Sequence, residues 1–373
     1  MTQTIGTDFI PLMIPAINDA DIASAVSVLQ SGMLVQGKEV EKLEKRFADY
    51  IGVEHAIAVS NGTASLHLAL LALGIGKDDE VIVPAFSYIA TANVVELVGA
   101  TPVFVDTEKH TFNIDAAKIE AALTSKTKAI LPVHEFGLAC DIARVSAIAQ
   151  KHSLFLIEDA ACSLGATENK KQTGSFGQFG SFSLHPRKSI TSGEGGILTT
   201  NDAELASTIR ILRNHGIQTV NGKMEFVAAG FNYRMTDFQA ALAANQFERL
   251  ETILEKKSKL AARYLSGIKN SLIQLPEMPA GKEHSWQTFH VVLQPTLDRD
   301  KTIEYLKTKG IGSNYGAQCM PAQIYYSKKY NLDCAKNFSN ALLAWKQGLA
   351  LPLYDKLKEE QVDYICTVLN ELE

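Results

Sequence analysis

The chain has 373 residues, 46% of them hydrophobic and 21% charged, with a formal net charge of −5 and a pI near 6.0. That length supports a large core divided over two or three folding units. The mildly acidic balance, with no Lys/Arg-rich block, excludes nucleic acid binding as the main activity. No apolar run approaches the ~20 residues of a membrane span.

The start, MTQTIGTDFIPLMIP, has no basic region followed by a long apolar segment, so no leader is expected and the protein reads as cytoplasmic. From residue 55 to 200 short β-rich runs alternate with helical patterns. HAIAVS (55–60) leads into NGTASLHLALLALG, a helix starting at Asn61 or Gly62. EVIVP (80–84) precedes the helical SYIATANVVELVG; then come TPVFVD (101–106), the helical DAAKIEAAL (115–123) and KAILPVH (128–134). IARVSAIAQKH (142–152) reads as a helix and LFLIEDA (154–160) as a buried strand. This alternation predicts a mostly parallel, doubly wound α/β sheet, which binds ligands beyond the carboxyl ends of its strands.

Past residue 236 the pattern changes. TDFQAALAANQFERLETILEKKSKLAARYLSGI is read as one long amphipathic helix leaving the first domain. The expected division is a large domain over 1–250 and a smaller C-terminal α/β domain over 251–373. The latter has a strand in WQTFHVVLQP (286–295) and helices near 299–309, 335–348 and 359–372. The five cysteines are scattered and odd in number, without a CxxC pair or Cys/His cluster, so neither a disulfide framework nor a metal site is expected.

Three places carry chemistry. SNGTAS (60–65) opens a helix after a strand, either as an ordinary capped start or as a phosphate site built from free N–H groups and hydroxyls. Asp159 closes an apolar strand, as a strand-end cap or as a carboxylate that keeps a heterocycle nitrogen protonated. Its neighbour Glu158 should point the other way and be structural. Lys188 follows the strand-like GSFSLHP and precedes Gly193, Gly195 and Gly196. It is a solvated surface charge or, if desolvated or beside a cation such as Arg187, a Schiff-base nucleophile. Tyr88 either packs in the core or stacks on a flat ring. His134, His185 and His215 are candidates for polar contacts in the site or plain structural histidines. GEGG is not a GxGxxG fingerprint, so a nicotinamide-binding domain is not supported.

Taken in order, SNGTASLHLAL, EVIVPAFSYIATANVV, ATPVFVD, LFLIEDAACSLGA, SFSLHPRKSITSGEGGILTTND, RNHG and GFNYRMTDFQAAL resemble the DegT/StrS family of pyridoxal-phosphate-dependent sugar nucleotide aminotransferases. The likeness runs from about residue 10 to 265. It implies a three-layer α/β fold of the aspartate aminotransferase type (fold type I). It also implies roles. Lys188 matches the lysine that forms the internal aldimine and shuttles a proton, and Asp159 the carboxylate on the pyridine nitrogen. Tyr88 matches the aromatic residue stacked on the ring. Gly62, Thr63 and Ser183 match the phosphate cradle, and Asn232 a residue reaching the phosphate from a partner subunit, so that the site is complete only in a homodimer.

The implied reaction is ping-pong transfer of an amino group from L-glutamate to a 3-keto or 4-keto nucleotide sugar, by way of pyridoxamine phosphate. Relatives carry glutamine or histidine where this chain has Cys162, on the hydroxyl side of the ring. The sugar-facing stretch GSNYGAQCMPAQIYY (312–326) also departs from relatives, with Tyr315 and Gln318, together with His185 and Arg187, as candidate substrate contacts. Dehydratases of the same family replace the lysine with histidine, so Lys188 argues against that alternative. The retained Lys188 and Asp159 argue against a regulatory homologue without turnover.

Overall fold

The computed structural model describes residues 9–373; residues 1–8, part of the start read above as lacking a leader, lie outside the described residues. Strands β1 (His55–Val59), β2 (Glu80–Pro84), β3 (Phe86–Ser87), β4 (Thr101–Val105), β5 (Thr127–Ile130) and β6 (Phe155–Asp159) come first. The short β7 (Thr167–Glu168) and β8 (Lys171–Gln172) follow, then β9 (Phe179–Ser183) and β10 (Gly196–Thr200). Seven of them form one sheet in the order β1-β10-β9-β6-β5-β2-β4. β10 runs antiparallel to both neighbours and the other pairings are parallel. Strand and helix alternate because each β-rich run is too short to turn back and the next apolar pattern has helical period, as the crossovers of a parallel sheet require.

The helices are α1 (Asp19–Ser31), α2 (Lys38–Ile51), α3 (Gly62–Ala72), α4 (Ala90–Leu97), α5 (Ala116–Ile119), α6 (Ile142–Lys151), α7 (Ala203–Arg213), α8 (Asp237–Phe247) and α9 (Leu250–Gly267). Successive strand residues feed opposite layers. Val81 and Val83 of β2 join the core under α3, α4 and α7, whereas Ile82 faces Ile142, Val145 and Ile148 of α6. That gives three layers, helices on both faces of one sheet.

The long helix expected after residue 236 is two helices, broken at Glu248 and Arg249. Arg249 leaves helical geometry (φ −109°, ψ 7°), and its guanidinium is held by Asp21 at 2.6 Å and by the Ala16 carbonyl at 3.0 Å. Tertiary anchors override an unbroken run of helix formers. DAAKIEAAL likewise gives only the one-turn α5 followed by a 3₁₀ turn at Glu120–Ala122.

The remaining elements are the hairpin β11 (Ile217–Val220) and β12 (Lys223–Phe226), β13 (Ile273–Gln274), β14 (Lys282–Glu283), β15 (Phe289–Leu293), β16 (Gln318–Cys319) and β17 (Gly348–Leu351). With them come α10 (Arg299–Thr308), α11 (Ile324–Tyr330), α12 (Cys334–Asn337), α13 (Ser339–Gln347) and α14 (Glu359–Asn370). Strands β13, β15 and β17 form a small sheet with its own core, which includes Leu260, Tyr264, Phe289 and Ile365. Residue 250, the expected division, is the first of α9, whose early turns pack Leu250 and Ile253 into the large unit and whose later turns pack Leu260 and Tyr264 into the small one. Packing also crosses that line elsewhere. Ile10 joins the small core, and Cys319, Tyr326 and Ala341 join the large one. Among the described residues, no helix is long and apolar enough to cross a membrane.

Candidate active site

The carboxyl ends of β1, β6 and β9 converge with the start of α3. Asn61 caps α3, accepting from the Ala64 N–H at 2.8 Å. The preceding amides of Gly62 and Thr63 belong to the first turn, where a helix offers no internal acceptor. Ser183 at the end of β9 lies against them: a Cβ on Gly62 would stand 3.0 Å from the Ser183 Cβ. Gly196 packs as closely on the other side, where a Cβ would fall 2.5 Å from the Asn61 carbonyl oxygen. Two glycines thus let a helix N-terminus and a strand end approach into a cradle with free amides and hydroxyls, suited to a phosphate.

Asp159 ends β6 and is 5% exposed. Thr91 donates to its Oδ2 at 2.9 Å and the Ala161 N–H to its Oδ1 at 3.2 Å. Burial raises its pKa, and the Thr91 and Ala161 bonds and the Lys188 charge only partly offset that. Among the described residues no cation pairs with this buried carboxylate, a place that a protonated ring nitrogen would suit.

Lys188 sits in the turn after β9, and its Nζ donates to Cys162 Sγ at 3.1 Å. Burial keeps the Cys162 thiol above its ordinary pKa, hence neutral. Cradle, acid and amine therefore occupy one sheet edge, and together they fit a phosphorylated pyridine aldehyde.

The other sequence candidates are placed as follows. Tyr88, 67% exposed, stands between β3 and α4. β16 pairs with β3, setting Gln318 opposite Ser87 and so bringing Gln318 beside the Tyr88 corner. His185 is half-buried, with burial lowering its pKa, and its Nδ1 accepts from the Arg187 N–H at 3.2 Å. Arg187 is exposed, and its carbonyl accepts from Gln287 at 3.0 Å. Tyr315 carries the Arg299 guanidinium 5.5 Å above its ring. Asn232 is exposed and bridges Asn214 through the backbone. His134 and Glu158 form a buried pair (3.0 Å) on the opposite face of β6 from the site, and His215 sits at a positive φ of 57° in the turn before β11.

Several site residues escaped the sequence reading. Glu135, in the turn after His134, is buried and feels the charges of both Asp159 and Lys188. Ser87 Oγ lies 3.3 Å from the Thr91 Oγ1 that donates to Asp159. Lys257 of α9, 1% exposed, donates to Ser189 at 3.0 Å, and burial first of all lowers its pKa to about 7. Glu135 did carry a signal, a charge just beyond an apolar run, the same one that singled out Asp159.

A mostly parallel sheet between helix layers, with amine, buried acid and anion cradle at one edge, defines an α/β transferase of fold type I. The chain belongs to the DegT/DnrJ/EryC1/StrS aminotransferase family, whose model matches residues 15–370, a family of pyridoxal-phosphate-dependent sugar aminotransferases. It is 41% identical over 344 residues to GDP-perosamine synthase of Caulobacter vibrioides, covering 90% of each chain. It is 36% identical to the spore coat polysaccharide biosynthesis protein SpsC of Bacillus subtilis, covering 98% of this chain and 97% of that one. Among solved structures, Spr1654 of Streptococcus pneumoniae, assigned as a sugar aminotransferase, superposes in its PMP form with a TM-score of 0.92. That match has 31% identity and covers 97% and 98% of the two chains; PLP and apo forms of the same protein also match.

Proposed function

We propose that this enzyme uses pyridoxal phosphate to move an amino group from L-glutamate to a keto sugar carried on a nucleotide, both half-reactions sharing one site. The observation that carries this reading is the convergence of Lys188, Asp159 and the α3 cradle on one sheet edge. Bound there, the cofactor supplies the electron sink that lets a C–H bond next to nitrogen break. The Gly62 and Thr63 amides and the Ser183 hydroxyl hold its phosphate. Asp159 would keep the ring nitrogen protonated, and Tyr88 would stack on the ring. Lys188 Nζ would be the base that takes and gives back the substrate proton, and Cys162 Sγ at 3.1 Å would hold the free amine. His185, Arg187, Tyr315 and Gln318 are assigned to the substrate side.

The working unit proposed is a homodimer in which Asn232 of one copy reaches the phosphate held by the other. Exposed apolar surface supports that. Ile22, Val26 and Leu29 form a stripe on α1 at helical spacing, and Met224 (65% exposed) and Phe226 (68%) project from the β11–β12 hairpin.

The test is to incubate the protein with L-glutamate and a panel of 3-keto and 4-keto nucleotide sugars and read the products by mass. One sugar gains an amine. Lys188→Ala loses at least about a thousandfold of that activity and gives no borohydride-reducible link to the cofactor. Amination by that variant at the native rate overturns the assignment.

A further inference from the structure

The turn that carries Lys188 is tied partly by itself and partly from outside. Within it, the Lys188 N–H donates to the His185 carbonyl at 2.9 Å and the Ser192 N–H to the Leu184 carbonyl at 3.0 Å. Ser189 and Thr191, both buried, are instead held by two helices from later in the chain. Gln246 of α8 grips Thr191 with both ends of its amide: Oε1 accepts from the Thr191 N–H at 3.1 Å, and Nε2 donates to the Thr191 carbonyl at 2.7 Å. Lys257 of α9 donates to Ser189 Oγ at 3.0 Å.

The break between α8 and α9 falls between these two side chains. In one unbroken helix Gln246 and Lys257 would stand about 16 Å apart along the axis, whereas Ser189 and Thr191 span at most about 7 Å. The Asp21 and Ala16 contacts that interrupt the helix at Arg249 bring both side chains onto one turn. Leu254, on the same face of α9 as Lys257, packs on the turn after β6, where a Cβ on Gly165 would collide with Leu254 Cδ1. That turn carries Cys162, whose Sγ accepts from Lys188 Nζ at 3.1 Å. One face of α9 thus backs both the turn of Lys188 and the turn of Cys162.

A lysine costs more here than an apolar residue would. Among the described residues Lys257 forms no ion pair; Asp355, whose charge it feels, lies 4.0 Å from the Nζ of Lys256 instead. Burial first of all lowers the Lys257 pKa, and Lys188 adds to that, against Cys162 when ionised and Asp355. An amine held so poorly as an ion serves as a donor, and the Ser189 hydroxyl is what it donates to.

We propose that Lys257 is a positioning residue: by holding Ser189 from α9, while Gln246 holds Thr191 from α8, it keeps the Lys188 amine aimed for bond formation with the cofactor. The inference rests on the reading of Lys188 given above and adds a role to residues outside it. Because α9 packs Leu250 and Ile253 into the large unit and Leu260 and Tyr264 into the small one, the clamp also ties that amine to the seam between the two.

The experiment measures dissociation constants for two forms of the cofactor by equilibrium dialysis. Pyridoxal phosphate is held by the cradle, by Asp159 and by its bond to Lys188, in which Nζ adds to the aldehyde carbon and the oxygen leaves as water. Pyridoxamine phosphate cannot form that bond and is held by the first two alone. Lys257→Met, close in length but without the donor, weakens retention of pyridoxal phosphate by about tenfold and leaves pyridoxamine phosphate within about threefold. Ser189→Ala does the same, and the double variant is no weaker than the worse single one, because both cut one contact. Near-native binding of pyridoxamine phosphate shows that the variants are folded. Equal weakening of both forms, native retention of pyridoxal phosphate by Lys257→Met, or multiplying losses in the double variant overturns the proposal. Lys188→Ala run in parallel separates the two readings. If it keeps the native ratio between the two forms, the assignment of Lys188 fails; if it alone loses that ratio, only the clamp fails.

Discussion

The last two residues of β6 carry carboxylates on opposite faces of the same sheet, in contrasting surroundings. Glu158 is saturated: its oxygens accept from the N–H groups of Gly174 (2.8 Å), Phe176 (2.6 Å) and Gly177 (2.9 Å) and from His134 Nε2 (3.0 Å). His134 is tied in turn, its Nδ1 accepting from the Cys140 N–H at 3.2 Å. Asp159, one residue on, has one hydroxyl and one amide. Both are buried, so both lost comparable hydration on folding. The fold returned that loss on one face through the 174–177 turn and withheld it on the other. A structural carboxylate is one whose lone pairs are filled by its own chain; a ligand-binding one is left with capacity to spare.

The sharpest test of that contrast is to neutralise each acid by its amide. Asp159→Asn keeps an acceptor for Thr91 and removes an uncompensated buried charge, so stability stays within about 1 kcal/mol of native. Turnover falls by about a hundredfold or more, because the ring nitrogen loses its anion. Glu158→Gln does the reverse. Its amide NH₂ meets backbone N–H donors, costing about 2–4 kcal/mol of stability, while the loaded enzyme that remains folded turns over near the native rate. Denaturant melts and steady-state rates on both variants decide it. Matching losses of both kinds in both would erase the distinction.

Much of this contrast is legible in the amino-acid sequence. The apolar run LFLIED ends in two acids, and strand alternation sends them to opposite faces, so one of the two had to face the crevice. The cradle is legible too, as Asn61 before an apolar helix with glycine at its first position. What stays hidden depends on which strand lies beside which. β5 neighbours β6, and only that places the turn carrying Glu135 next to Asp159. Gln318 meets Ser87 through a two-residue strand pair joining segments more than two hundred residues apart, too short to leave a pattern. The break between α8 and α9 is invisible for another reason. Glu248 and Arg249 are good helix formers, and it is contacts with Asp21 and Ala16 that interrupt them.

The same two faces differ in their response to pH. With the cofactor removed, Glu135 is a carboxyl whose folded pKa is raised to about 8 from 4.5. Between those values the folded chain keeps a proton that the unfolded chain releases, so stability falls as pH rises through the window, on the order of a few kcal/mol at most. Glu135→Gln cannot release that proton and flattens the slope, whereas Glu158→Gln leaves it in place. Buried histidines such as His290, held down at about 3, give the opposite slope below about 6.5 in every variant, so the difference from native isolates Glu135. Thermal melts of the apo-protein from pH 5 to 9 read it. Parallel curves for native and Glu135→Gln would mean that Glu135 is already ionised in the folded chain.

Cys162 marks the smallest step. Its sulfur accepts from Lys188 Nζ at 3.1 Å, but a neutral thiol is a weak acceptor, and burial keeps this one protonated. Cys162→Ala therefore frees the amine at a cost of about two- to fivefold in turnover, the scale of one weak hydrogen bond. That is far below the loss in Asp159→Asn. The ranking follows from charge: on the proposed reading Asp159 would oppose a full positive charge in a dry site, while Cys162 offers a polarizable lone pair to an amine that Lys188 can rotate elsewhere. Single-turnover rates with L-glutamate compare the two variants directly. Equal losses would shift the weight of the site from the buried acid to the side of the amine, and the contrast between the two carboxylates of β6 would no longer describe how this site works.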